Sequence, residues 1–440
     1  MTGRGPRRPP ARAIRAGAAG QQDGAVESDP PQGREHRLTS TELTMKRATR
    51  SLLAAVFVLG VVTGPAALPA TASSSGGAGA VTVPSRTDPV TAAALKAAVA
   101  GLPAADATAA LVRVGGTDGV WRGSSGVHDL TTGRAADPHA RFRVGSVTKV
   151  FTAAVVLQLA AEGKVDLDRS VRAYLPELIP ASYGGVTVRQ LLDHTHGIPA
   201  ADFPGTTVEE WYANRFRVHD PEAMVRSATA KEREFAPGER QHYLNIGYTI
   251  AGLLVERVTG DSYERQVTRR VLRPLGLRDT YLPGADPRIV GPHNHGYQRM
   301  TLDDGTTGLR DVSVWGVTDT WAAGDIVSTT ADLERFTQAL FGGRIVPRGP
   351  LLEEMFTVPK VTAFPGGKPA EYAVGLARKV LGGREVWGKT GGRWGYNAAI
   401  ASTRDGSRTL VHSVNSTDAK GRDVSRVALA VMVAAYGPPS

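Results

Sequence analysis

Residues 146–162 read SVTKVFTAAVVLQLAAE and stop at Gly163. The run is apolar on nearly every side, so it predicts a mostly buried helix rather than an amphipathic surface one. Its two polar groups of interest stand at the start. Ser146 and Lys149 are three residues apart and share a helical face. A serine hydroxyl is a poor nucleophile until a base takes its proton. A lysine buried near other cations has its pKa lowered and can be that base. The helix N-terminus adds unpaired N–H groups suited to a developing oxyanion. Taken alone, the same four residues also describe a capping serine followed by a solvated lysine.

Working outward, residues 90–101 predict a helix, and 107–116 and 119–129 predict two strands around the turn Thr117-Asp118-Gly119. Residues 165–310 mix short amphipathic helices (187–194, 207–215, 247–259 and 262–273) with Pro/Gly-rich loops. In 322–342, Thr329 and Asp332 have the spacing of a helix cap. The C-terminal stretch changes to period two, predicting strands at 371–380, 384–390, 396–404 and 408–415, then a helix over 422–436. Strands near both ends with helices between them predict an α/β fold of the α+β kind. An antiparallel sheet is built from both termini and flanked by helices, with a mostly helical domain inserted. The expected division is a sheet domain of 90–145 and 320–440 and a helical domain of 146–319, with a cleft where they meet.

Two further clusters belong with Ser146 and Lys149. Lys389-Thr390-Gly391-Gly392 lies on a predicted strand, and its glycines let a substrate backbone approach closely. Tyr243-Leu244-Asn245 follows the turn Pro237-Gly238 and precedes a helix. A tyrosine held between two lysines is expected to keep a low pKa and to pass a proton to a leaving group. A second Y-x-N, Tyr212-Ala213-Asn214, sits in an amphipathic helix without the turn and reads as a packed tyrosine. Other motifs fail on context. Gly123-Ser124-Ser125-Gly126 misses the G-x-S-x-G spacing. Residues 383–390 match G-x-x-x-x-G-K-[ST] but read as strand and are followed by glycines, not a helix. His194-x-His196 and His293-x-His295 lack the third ligand of a hydrolytic zinc site, so no metal or cofactor is expected.

In order and spacing, S-x-x-K, Y-x-N and K-T-G resemble the penicillin-recognising serine hydrolases, in their class C β-lactamase and D-alanyl-D-alanine carboxypeptidase branch. Arg141-Phe142-Arg143-Val144-Gly145, the block Leu191 to Gly197, Ala322-Ala323-Gly324 and Ser328-Thr329 extend the likeness over about residues 90–435. The resemblance implies an acyl-enzyme on Ser146, with Lys149 and Tyr243 handling the proton. It implies that Asn245 binds the substrate amide and that Lys389, Thr390 and Gly391 line the carboxylate end. The backbone N–H groups of Ser146 and Gly392 would form the oxyanion hole. Leu244, His196 and Asp325 depart from the usual Ser, Ser and Gly. The carboxypeptidases use an arginine on the preceding strand; here Arg378 is the candidate, one residue out of register, which would turn it to the other sheet face. Four activities follow: D-alanyl-D-alanine carboxypeptidase on peptidoglycan stem peptides first, then β-lactamase, esterase or D-amino-acid amidase, and low-turnover penicillin-binding protein.

Composition narrows the field further. The 440 residues contain 41% hydrophobic and 21% charged side chains, enough for a packed core, and no cysteine. That excludes disulfides, thiolate metal sites and a cysteine nucleophile. The net charge of +10 is divided evenly between residues 1–72 and the remainder, and Lys/Arg blocks interleaved with aromatics are missing, so no nucleic-acid partner is expected. Residues 45–72, MKRATRSLLAAVFVLGVVTGPAALPATA, have a basic start, an apolar run too short to span a bilayer, and a small-x-small end. They predict a signal peptide cut after Ala72, a secreted product and no membrane anchor afterwards. Residues 1–44 read as an extension upstream of the true start at Met45, and 73–89 as a flexible tether.

Overall fold

The computed structural model describes residues 87–421 and 424–437. The predicted leader 45–72, the extension 1–44 and most of the 73–89 tether lie outside the described residues. Helix α1 (Pro89–Ala98) opens with Asp88, whose side chain accepts from Thr91 N at 2.9 Å, and with a proline where no N–H is needed. Strands β1 (Ala107–Gly115) and β2 (Trp121–Gly126) form the expected hairpin. Four consecutive strands near the other end, β3 (Ala377–Leu381), β4 (Arg384–Arg393), β5 (Tyr396–Thr403) and β6 (Thr409–Ser416), form an antiparallel meander. β1 pairs with β6, which joins both ends into one six-stranded antiparallel sheet of order β2-β1-β6-β5-β4-β3.

The helices cover both sheet faces. Besides α1 these are α2 (Thr148–Ala161), α3 (Ile246–Thr259), α4 (Thr330–Phe341) and α5 (Arg426–Tyr436). Val112, Val114, Val386, Leu410 and Val414 lie in one core with residues of α1 and α5. Trp387, Ile400 and Val411 lie in the other, with α2, α3 and α4. There Phe151 of α2 stacks on Phe336 of α4 with ring centroids 3.7 Å apart. Thr329 caps α4 as its spacing predicted, accepting from Asp332 N at 3.2 Å. Among the described residues no helix is long and apolar enough to cross a membrane.

Four local readings change. The predicted strand 371–380 pairs only from Ala377, because Glu371 N and Tyr372 N bond to the Gln241 side chain instead of a neighbouring strand. The predicted helix 262–273 is interrupted by a π-turn at Thr268–Leu272. Helix Pro221–Thr229 and the hairpin of Tyr297–Thr301 with Thr307–Asp311 are additions that the sequence pattern did not separate from loop. Ser146 itself precedes the helix, in a 3-10 turn of Gly145–Val147, and α2 begins at Thr148.

Candidate active site

The turn carrying Ser146 is pressed against the far end of β4. A Cβ on Gly391 would stand 2.0 Å from Val144 O and 2.7 Å from Ser146 N. One on Gly145, at φ +53°, would stand 2.7 Å from Gly392 N. Only glycine allows this approach. It brings the Gly145-Ser146 turn and the Gly391-Gly392 backbone together with no side chain between them.

Lys149, the second residue of α2, is fully buried. Its Nζ lies 3.3 Å from Ser146 Oγ, 2.7 Å from Asn245 Oδ1 and 2.9 Å from Ala323 O. Burial pushes its pKa well below the usual lysine range, and the charges of Lys389 and Lys420 push the same way. Lys389, on β4, donates to Thr390 O at 2.8 Å, and burial lowers its pKa to about 7.

Tyr243 is the centre of this group. Lys149 Nζ lies 5.0 Å and Lys389 Nζ 4.6 Å from its ring centroid. The rings of His194 and Tyr372 close two more sides, at 4.5 and 4.7 Å. The expected low pKa does not hold. Burial pushes the phenol well above its ordinary range and Tyr372 adds to the rise, while Ser146 opposes it. The same dry environment that raises the tyrosine lowers the pKa of both lysines, which weakens them as cationic partners for a phenolate. Tyr243 is thus a phenol of raised pKa beside two lysines of depressed pKa.

The Tyr243 clamp depends on residues that the motifs do not mark. Gln241 Nε2 donates to Asp193 O and Tyr372 O, both at 2.8 Å, and its Oε1 accepts from Glu371 N and Tyr372 N at 3.0 and 3.1 Å. One buried amide therefore ties together the His194 turn, the Tyr243 segment and the Tyr372 segment. His194 holds a left-handed φ of 66°, rare for a non-glycine residue, to keep its ring there. Beyond the glycines, Arg393 is buried and meets Asp319 through both carboxylate oxygens at 2.9 Å, anchoring the end of β4.

Other marked residues lie elsewhere. Tyr212 ends helix Val208–Ala213, its ring 3.9 Å from the Arg215 guanidinium and 5.8 Å from Trp315. Residues 384–393 are strand throughout, so the phosphate-loop pattern has no helix to open. Arg378 pairs across the ladder with Trp387, which puts it on the Lys389 side of the sheet and not the opposite side. Its half-exposed guanidinium is held by Glu385, with Nε 2.5 Å from Oε2, directed away from Lys389.

Fold and site together define a serine hydrolase of the β-lactamase and transpeptidase kind. Residues 95–435 match the Beta-lactamase family, and the chain belongs to it. Penicillin-binding protein 4* of Bacillus subtilis (strain 168) is 26% identical over 314 residues, which are 69% of this chain and 67% of that protein. Protein flp of Staphylococcus aureus (strain MW2) is 32% identical over 160 residues, only 30% of its own length. Among solved structures, a D-stereospecific amidohydrolase from Streptomyces sp. superposes with a TM-score of 0.65 at 33% identity, covering 78% of this chain and 97% of that one. The D-amino acid amidase from Ochrobactrum anthropi SV3 shares the fold, with a TM-score of 0.66 at 23% identity.

Proposed function

We propose that the protein is an exported hydrolase that cleaves amide or peptide bonds at a D-configured residue through an acyl-enzyme on Ser146. The observation that carries this is the environment of Lys149: a buried amine of depressed pKa with Ser146, Asn245 and Ala323 as its polar neighbours. Ser146 Oγ attacks the carbonyl carbon as its proton passes to Lys149 Nζ. The carbonyl oxygen becomes an oxyanion and is met by the Ser146 and Gly392 N–H groups. The C–N bond breaks as the leaving nitrogen takes a proton by way of Tyr243, and water later releases the acid and restores Ser146. Asn245, whose Oδ1 is occupied by Lys149, has its Nδ2 for the substrate amide.

The likeness to the Streptomyces amidohydrolase supports D-configured substrates. The lysine at the β4 edge and the Bacillus relative favour a second reading, D-alanyl-D-alanine carboxypeptidase, in which Lys389 rather than Arg378 receives the terminal carboxylate. Hydrolysis of D-alanine p-nitroanilide is compared with release of D-alanine from a D-Ala-D-Ala peptide, alongside mass spectrometry of the penicillin-treated protein. An adduct on the Ser146 peptide is expected, and its lifetime separates a β-lactamase from a slow penicillin binder. An adduct on Ser124 or Ser125 overturns the reading. Export rests on residues 45–72 and their predicted cleavage after Ala72.

A further inference from the structure

β3 stops pairing with β4 at Gly388, and past that point the β4 edge is open beside Tyr243. Side chains alternate along β4. Lys389 turns toward Tyr243, while Gly388 and Thr390 turn to the face covered by α5. Their ladder partners on that face are all small: Ala377 and Ala401 opposite Gly388, and Ala399 opposite Thr390. Leu429, Met432 and Val433 of α5 pass over this row without filling it. Leu429 and Val433, one helical turn apart, remain half-exposed.

The result is an apolar crevice between the sheet and α5. It runs along β4 from Thr390 to Val386, about 13 Å for four strand residues. Its polar end is formed by Tyr372, Lys389 and Thr390, and the first two of these also enclose Tyr243. Tyr372 and Lys389 are thus common to the crevice lining and to the surroundings of Tyr243, where β4 has no β3 partner.

We infer that this crevice is a substrate subsite for an unbranched aliphatic chain attached to the scissile amide. The inference rests on the proposed function for its placement. It deepens that reading by giving the substrate class: D-aminoacyl amides bearing an alkyl tail. Alanines and glycine in place of larger residues leave room for methylenes, and the lining beyond Lys389 and Thr390 offers a tail almost no polar partner.

Binding is measured by calorimetry with the Ser146→Ala chain and the N-methyl, N-butyl and N-octyl amides of D-alanine. Each methylene that enters the crevice is expected to lower Kd about two- to fourfold. Ala401→Trp fills the crevice from the sheet side, and Val433→Asp puts a charge at its half-exposed rim from α5. Either is expected to remove the gain for the octyl amide while leaving the methyl amide unchanged. Equal affinity for methyl and octyl amides, or a gain that survives both substitutions, overturns the inference. If Ala401→Trp does not fold, Val433→Asp alone decides between these outcomes. Because turnover is not measured, tight octyl binding without any Ser146 acylation in the wild-type chain removes the proposed function and leaves the crevice standing. Acylation with a flat chain-length series does the reverse.

Discussion

Lys149 Nζ stands 2.7 Å from Asn245 Oδ1, closer than its 3.3 Å to Ser146 Oγ. A neutral amine has two N–H bonds and one lone pair. Asn245 Oδ1 and Ala323 O accept both N–H groups, which leaves the lone pair for the serine hydroxyl. The asparagine thus orients the lysine. Burial, which lowers the lysine pKa, favours the form in which that lone pair is free.

Lys149→Met, which keeps the buried volume, is expected to slow acylation by about 10²–10⁴-fold. Tyr243→Phe is expected to fall in the same range. Tyr212→Phe keeps its stacking on Arg215 and is expected to acylate normally. Stopped-flow acylation by a fluorescent penicillin, with circular dichroism to confirm folding, reads all three. Normal rates in folded Lys149→Met and Tyr243→Phe would refute their assigned roles.

Lys389 has its pKa lowered to about 7, so it is charged below that pH and neutral above it. KM for a substrate with a terminal carboxylate is expected to climb as pH passes about 7, and KM for the corresponding amide is expected to stay level. Arg378→Ala is expected to alter neither, its ion pair with Glu385 being half-exposed and worth no more than about 1 kcal/mol. Stability has a definite sign too. Unfolded lysine keeps its proton up to about pH 10.4 while folded Lys389 sheds it near 7, so unfolding takes up a proton in that window and stability rises with pH across it. Urea titrations from pH 7 to 10 measure the slope, which Lys389→Met should reduce.

Gly391→Ala is expected to abolish labelling of Ser146. The new methyl would meet Val144 O and Ser146 N, both backbone, at 2.0 and 2.7 Å, so β4 has to withdraw from the serine turn. Overpacking of this kind costs about 1–3 kcal/mol. A folded variant with slightly lowered Tm and no adduct is the predicted result; normal labelling contradicts it.

Asp319→Ala leaves Arg393 buried and unpaired by charge. The expected loss is about 3–5 kcal/mol of unfolding free energy, measured in urea. Adding Arg393→Met should recover part of it, since the uncompensated charge is then gone. A double variant as unstable as Asp319→Ala would show that the cost is not that of a buried charge.

Protein recovered from culture medium is expected to begin at or within a few residues of Ser73 on N-terminal sequencing. A mature product that retains residues 1–44 would overturn both the leader and the start at Met45.

The part of the site legible in the sequence is the part encoded at short range. Ser146 and Lys149 needed only helical spacing, and the glycines after Lys389 announced a close approach. The sheet was legible because the C-terminal stretch alternates with period two and the first two strands flank the turn Thr117-Asp118-Gly119. Gln241, Tyr372, His194 and Asp319 were not, because each acts through a partner far along the chain and none has a periodic signature. The protonation of Tyr243 was misjudged for a different reason. Sequence shows how many ionisable groups are near, and only the fold shows the burial that raises the tyrosine pKa and lowers those of the lysines.

The pairing of β1 with β6 has a consequence for how the chain comes to be active. These two adjacent strands lie about as far apart in sequence as the described chain allows: Thr108 Oγ1 donates to Asn415 O across 307 positions. Contacts of such separation form late and slowly, since the loop between them must close first. A nascent chain therefore cannot assemble the sheet until β6 has been made, and β4, which seats the glycines against Ser146, lies in the same late-forming meander. Assembly of the Ser146 site thus waits on the β4–β6 meander, so a chain that lacks those strands has no surface on which to seat the serine turn.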